Sequence, residues 1–147
     1  MATIRPVQAD ELDELLDLYG HLYEERPGRT PDTEDAWLTL QADDATVVLA
    51  AVTDRLVAAC QLAIVPAVAR EGRPFGVLEY VVTHADHRGE GHGTRVVERA
   101  IERAEKQDCY KLVIQTGRED DRVASFYEQC GFDADATTGF AMTLDGD

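Results

Sequence analysis

The chain has 147 residues, with 29 acidic against 14 basic side chains and a formal net charge of −15. That length predicts a single domain, residues 1–147, with its own core. So negative a surface repels nucleic acid, which argues against a DNA or RNA partner, and no run of about 18 apolar residues is present to cross a membrane. Met1-Ala2-Thr3-Ile4-Arg5 lacks the apolar stretch of a secretory signal. Three widely spaced cysteines, Cys60, Cys109 and Cys130, argue against a disulfide framework and for a reducing, cytoplasmic setting. Only Lys106 and Lys111 are lysines. An acidic, lysine-poor surface suits a salt-rich cytoplasm, where self-repulsion is screened; ordinary acidic drift is the alternative.

Ile4-Arg5-Pro6-Val7 predicts a short strand at a sheet edge, since Pro6 cannot donate to a ladder. Asp10 is expected to cap a helix with the stripe Leu12, Leu15, Leu16, Tyr19 and Leu22, stopped by Arg26-Pro27-Gly28. Thr30 followed by Pro31 predicts a second helix start, with Ala36, Trp37 and Leu40 as its apolar face. Thr46 to Val52 and Leu56 to Val65 read as strands joined in a hairpin at Thr53-Asp54-Arg55. A polar connection from Pro66 to Pro74 leads into the β-branched run Val77-Leu78-Glu79-Tyr80-Val81-Val82-Thr83. A glycine-rich turn, His87-Arg88-Gly89-Glu90-Gly91-His92-Gly93-Thr94, follows and leaves as an amphipathic helix through Val96, Val97, Ala100, Ile101 and Ala104. Lys111 to Thr116 reads as a buried strand ending at Gly117. Asp120 or Asp121 opens a short helix stopped by Gly131, and Phe140 to Leu144 reads as a final strand. The order β-α-α-β-β-β-α-β-α-β predicts a mixed sheet with helices on both faces.

The glycine turn is the chemically informative stretch. The first N–H groups of a helix lack intrahelical partners, and the macrodipole adds positive potential there. Glycine lets backbone approach a phosphate closely, and Arg88 adds a permanent forked cation. The spacing is not a Rossmann G-x-G-x-x-G, because Thr94 and Val96 stand where its last glycine would fall, nor a Walker G-x-x-x-x-G-K-[ST], because no lysine follows the glycines. It is Arg88-x-x-Gly91-x-Gly93, after a strand and before a helix. This resembles the acetyl-coenzyme A signature of the GNAT superfamily of N-acetyltransferases. A second segment, Ala124-Ser125-Phe126-Tyr127-Glu128-Gln129-Cys130-Gly131-Phe132, is similar to that family's A-x-x-F-Y-x-x-x-G-F motif. The resemblance spans essentially the whole chain. It implies a GNAT-type α/β fold, a mostly antiparallel sheet of about six or seven strands flanked by about four helices.

Acetyl transfer to an amine requires a held thioester, an uncharged amine, a stabilised oxyanion and a protonated leaving thiolate. The backbone N–H groups of Gly89, Glu90, Gly91, His92, Gly93 and Thr94, with Arg88 in support, are the expected diphosphate ligands. The resemblance implies that Val81 and Val82, with Thr83, hold the pantetheine arm. It also places a tyrosine near the departing sulfur, a position that Tyr127 matches; packing in the core beside Phe126 is the other role open to this ring. Thr116 and Ser125 are secondary cofactor contacts or solvent-facing polar residues. Glu79 is the candidate base, because a carboxylate inside an apolar strand is costly unless paired or functional. An ion pair or an edge position is the alternative. His84, His87 and His92 cluster around the turn with no cysteine at zinc spacing, so no metal is expected.

The function expected from the sequence is transfer of acetyl from acetyl-CoA to a primary amine of a small molecule, peptide or protein. The chain would work as a monomer or homodimer without metal, nucleic acid or membrane. The alternative is a non-catalytic acyl-CoA-binding module, for which neither Tyr127 nor Glu79 would be needed.

Overall fold

The computed structural model describes residues 2–116 and 121–145. Gly117 and Asp120, the expected strand end and alternative helix start, lie outside the described residues. The elements run β1 (Thr3–Pro6), α1 (Leu12–Tyr19), α2 (Pro31–Ala42), β2 (Thr46–Val52), β3 (Leu56–Val65), β4 (Phe75–Thr83), α3 (His92–Lys106), β5 (Leu112–Ile114) and α4 (Asp121–Gln129). This is the expected order without its last strand, and the sheet has five strands among the described residues rather than six or seven. Residues 140–144 carry no ladder, and Phe140, Met142 and Leu144 are exposed. Alternating apolar residues make a strand only where a neighbour completes the hydrogen bonds.

The strands lie side by side in chain order, β1-β2-β3-β4-β5. The first three pairings are antiparallel, β2 and β3 joined by the short turn Thr53-Asp54-Arg55, and the α3 crossover makes β4 and β5 parallel. Pro6 occupies an edge strand, as its missing donor requires. One face of the sheet is covered by α1 and α2, through a core of Leu12, Leu15, Leu16, Leu18 and Trp37 against Val48, Ala50, Ala59 and Val82. The other face carries α3, whose Val96, Val97, Ala100 and Ala104 are buried. Arg95 and Arg99 fasten α3 to the edge strand by donating to the Ala2 and Ile4 carbonyls at 3.0 and 3.2 Å.

The first helix departs from the sequence pattern at both ends. Asp10 does not cap it; Ala9–Glu11 forms a 3-10 turn whose lead-in, the Gln8 N–H, donates to Glu11 Oε1 at 2.7 Å. Glu11 also takes a forked pair of bonds from Arg5, at 2.8 and 2.9 Å. The helix stops at Tyr19 rather than near Arg26, and Leu22 follows in tightened turns. Arg26 is drawn back to Asp17 on α1, so its role is to tie the loop down. The Thr30 cap forms as expected, Thr30 Oγ1 accepting from the Thr33 N–H at 3.1 Å.

Residues up to Ile114 form one compact unit and those from Gln115 a second, smaller one that contains α4. All three cysteines are free thiols; burial pushes the Cys60 thiol up to about 12, out of the nucleophilic range.

Candidate acyl-coenzyme site

The site begins with an irregularity in β4. Leu78 pairs with Leu62 and Glu79 with Gln61, but Val82 pairs with Ala59. Tyr80 and Val81 therefore oppose Cys60 alone, and Tyr80 takes a φ of 54°. This is a β-bulge, and one extra residue exchanges the two faces of a strand. Leu78 is buried opposite Leu62, while Val82 joins the core under α1 and α2. Both even-numbered side chains would share a face in an unbroken strand. The bulge thus lets a single strand serve both layers.

The same stretch marks where the sheet opens. β5 pairs with β4 only from Gly76 to Leu78, and β5 ends at Ile114. It is a half-buried strand of three residues, shorter than the Lys111 to Thr116 run expected from sequence. From Glu79 to Thr83 the β4 backbone has no ladder on that side among the described residues. Backbone donors and acceptors left unpaired in a sheet edge are templates for an extended ligand. Val81, Val82 and Thr83, the expected pantetheine contacts, all fall on this stretch.

Glu79 stands where the opening starts and is half-buried. Among the described residues no hydrogen bond or ion pair holds its carboxylate. Its neighbours are phenols: its charge helps push the Tyr23 pKa up, after burial and Tyr80. Tyr80 meets Tyr19 at a ring separation of 6.1 Å.

The strand runs through a short turn, Ala85–His87, into the glycine segment. Gly89 and Gly91 both lie in the left-handed region, at φ 81° and 86°, and Gly91 is the residue from which α3 starts. A Cβ built on either would meet no atom within 4 Å. Space and conformational freedom thus coincide at the first free N–H groups of a helix, which suits a diphosphate. Gly93 is buried in the first turn of α3, against the sheet. Arg88 is exposed and spends one donor on the His21 carbonyl, at 3.2 Å, which fastens the turn to the chain after α1.

All four histidines of the chain gather here. Ring separations are 3.9 Å for His21–His84, 5.5 Å for His84–His87 and 6.1 Å for His87–His92. His21 and His84 accept backbone N–H bonds at Nδ1 from Ala85 and Asp86. Burial first, then His21, lowers the His84 pKa. Glu90 lies between His87 and His92, bonded to both, and these bonds hold its carboxyl below the usual range, His87 contributing most. His21 and Arg55, which reaches His87 Nε2 at 3.4 Å, carry no motif signal in the sequence; only the fold brings them to the turn.

Tyr127, Ser125 and Thr116 belong to the second unit. Tyr127 packs edge-on against Phe126 at 5.1 Å and Phe132 at 6.0 Å. Ser125 lines a shallow groove with Asp121, Arg122, Phe126 and Gln129, and Thr116 is exposed.

Comparison with known proteins identifies the family. The model of the acetyltransferase (GNAT) family matches residues 12–132. The chain is 30% identical over 133 residues to glucosamine 6-phosphate N-acetyltransferase of Trypanosoma brucei brucei, covering 89% of this chain and 88% of that protein. It is 38% identical over 95 residues to glucosamine 6-phosphate N-acetyltransferase 1 of Oryza sativa subsp. japonica, 65% of this chain and 52% of that protein. A structure from Agrobacterium tumefaciens str. C58, assigned as an acetyltransferase, superposes with a TM-score of 0.90 at 35% identity, covering 97% of this chain and 99% of that one. The chain belongs to the acetyltransferase (GNAT) family and is an acyltransferase.

Proposed function

We propose that the chain transfers the acetyl group of acetyl-CoA to the primary amine of a small molecule by direct attack, with an amino-sugar phosphate as the first acceptor to test. The observation that carries this reading is the continuity of the open β4 edge with the glycine turn that starts α3. An extended thiol arm and a diphosphate need those two features in that order. The acceptor class follows from the relatives, two of which bear the name glucosamine 6-phosphate N-acetyltransferase.

In this reading the N–H groups of residues 89–94 hold the diphosphate, and the free backbone of Val81 and Val82 takes the pantetheine amides. A backbone N–H of the same stretch faces the developing oxyanion. Glu79 accepts the proton of the attacking ammonium, directly or through water, and its carboxylate is not committed to a cation. Tyr127 donates its phenolic proton to the departing sulfur. A phenol of pKa about 10 gives a proton to a thiolate whose acid has pKa about 8.5 only modestly uphill, and hydrogen-bonds it throughout. Cytoplasmic location and an acetyl transfer that needs no metal remain part of this proposal.

The test is release of free coenzyme A thiol from acetyl-CoA with a panel of amines that includes glucosamine 6-phosphate, amino sugars without phosphate, polyamines and peptides. The reading predicts turnover that saturates with one small amine. Tight coenzyme binding without turnover on any amine would favour the binding-module alternative.

A further inference from the structure

We propose that His87, Glu90 and His92 form a divalent transition-metal site of zinc type in the turn that opens α3. Glu90 Oε1 lies 3.1 Å from His87 Nδ1 and 3.0 Å from His92 Nε2. One ligand atom from each of the three side chains falls within 4.8 Å of the others. Zinc bound at about 2.0–2.2 Å to nitrogen and oxygen holds neighbouring ligands roughly 3.3–3.4 Å apart. The two contacts to Glu90 are therefore already near that spacing, and modest ring rotation brings the nitrogens to it. Two imidazoles and one carboxylate suit zinc and its first-row neighbours rather than magnesium or calcium, which prefer all-oxygen sites. Three protein ligands leave the fourth position to water.

The rest of the turn sets the surroundings of the two rings. His92 is only 12% exposed at its side chain, and its Nδ1 is buried with no hydrogen-bond partner. Nε2 is the ring nitrogen that faces Glu90. Arg55 donates to His87 Nε2 at 3.4 Å; metal binding at Nδ1 puts the ring hydrogen on Nε2 and therefore requires the exposed Arg55 to move off it, toward Asp86 at 3.9 Å. His84 and His21 stack behind His87. Without an ion Glu90 puts a negative charge into a turn shaped for an anion. A divalent cation there would reverse the sign of that charge.

The site shares its turn with the diphosphate ligands of the proposed function, and it is tested by metal binding to the apo chain, a readout that does not depend on acetyl transfer. Zinc is titrated in by calorimetry, and cobalt(II) is followed by the visible d–d absorption of a tetrahedral nitrogen–oxygen site. The expected result is one ion per chain, an affinity about tenfold or more weaker in Glu90→Gln, and loss of the cobalt band in the double variant His87→Gln/His92→Gln. Glu90 is exposed, so Glu90→Gln keeps the fold. No stoichiometric binding to the native chain, or equal binding by the native chain and both variants, would overturn the proposal.

Discussion

A single carboxylate in an apolar strand is the residue on which the chemistry turns. Glu79 is half-buried and unpaired among the described residues, beside the point where β4 and β5 part. Glu79→Gln should lower kcat at neutral pH by roughly 10²–10⁴-fold, the usual size of a general-base contribution, with activity recovering as alkali deprotonates the amine unaided. Tyr127→Phe keeps the ring against Phe126 and Phe132 and removes only the hydroxyl. Its loss of kcat should be of similar size and should not be rescued by alkali. Rate–pH profiles of the two variants separate the roles, and near-full kcat in Tyr127→Phe returns that ring to packing alone. Glu79 is legible in the sequence because a charge interrupts a β-branched run. Tyr80 is not, because a positive φ announces itself only through glycine or asparagine, and this bulge is imposed by register with β3. His21 is equally silent. Gly20 beside it marks the early end of α1, but nothing in the sequence says that this end brings His21 onto His84.

Among the elements, the strands from β1 to β4 follow directly from runs of apolar residues and their turns. The start of α1 does not, because two acids, Asp10 and Glu11, compete for one capping role. Neither side chain caps α1: Glu11 turns back instead to the bidentate Arg5 bond and the Gln8 N–H. The Arg5 bond, first among the causes, and the Gln8 N–H lower the Glu11 pKa, against desolvation. A carboxylate with a depressed folded pKa stabilises the fold above its unfolded value of about 4.3, and that stability is lost as pH falls through the folded value. Glu11→Gln should therefore destabilise the chain by about 1–2 kcal/mol at neutral pH. The gap between variant and native melting temperatures should close below about pH 4, and a gap independent of pH would remove the ionised pair from the account. The expected last strand fails for a different reason. Phe140 to Leu144 has the alternation of a strand, but pattern does not supply a hydrogen-bonding partner.

At the scale of the whole molecule, the sequence carries the layering: two helices before the hairpin cover one face, and the helix after the glycine turn covers the other. It carries the charge as well, −15 on 147 residues. If that charge is an adaptation to salt, the melting temperature should climb by several degrees between low salt and about 1 M KCl as self-repulsion is screened. A flat response would leave the acidity without a physical role. The claim on which the functional account rests is that the turn from Gly89 to Thr94 holds a diphosphate. It is tested most directly by calorimetric titration of coenzyme A into the native chain and into Gly91→Ala. In the free chain a methyl at Gly91 meets nothing within 4 Å, and its cost is backbone strain at φ 86°, about 1–2 kcal/mol. The account predicts a folded variant whose affinity for coenzyme A is at least about tenfold weaker, some 1.4 kcal/mol. Equal affinity in the native chain and a folded Gly91→Ala would contradict it.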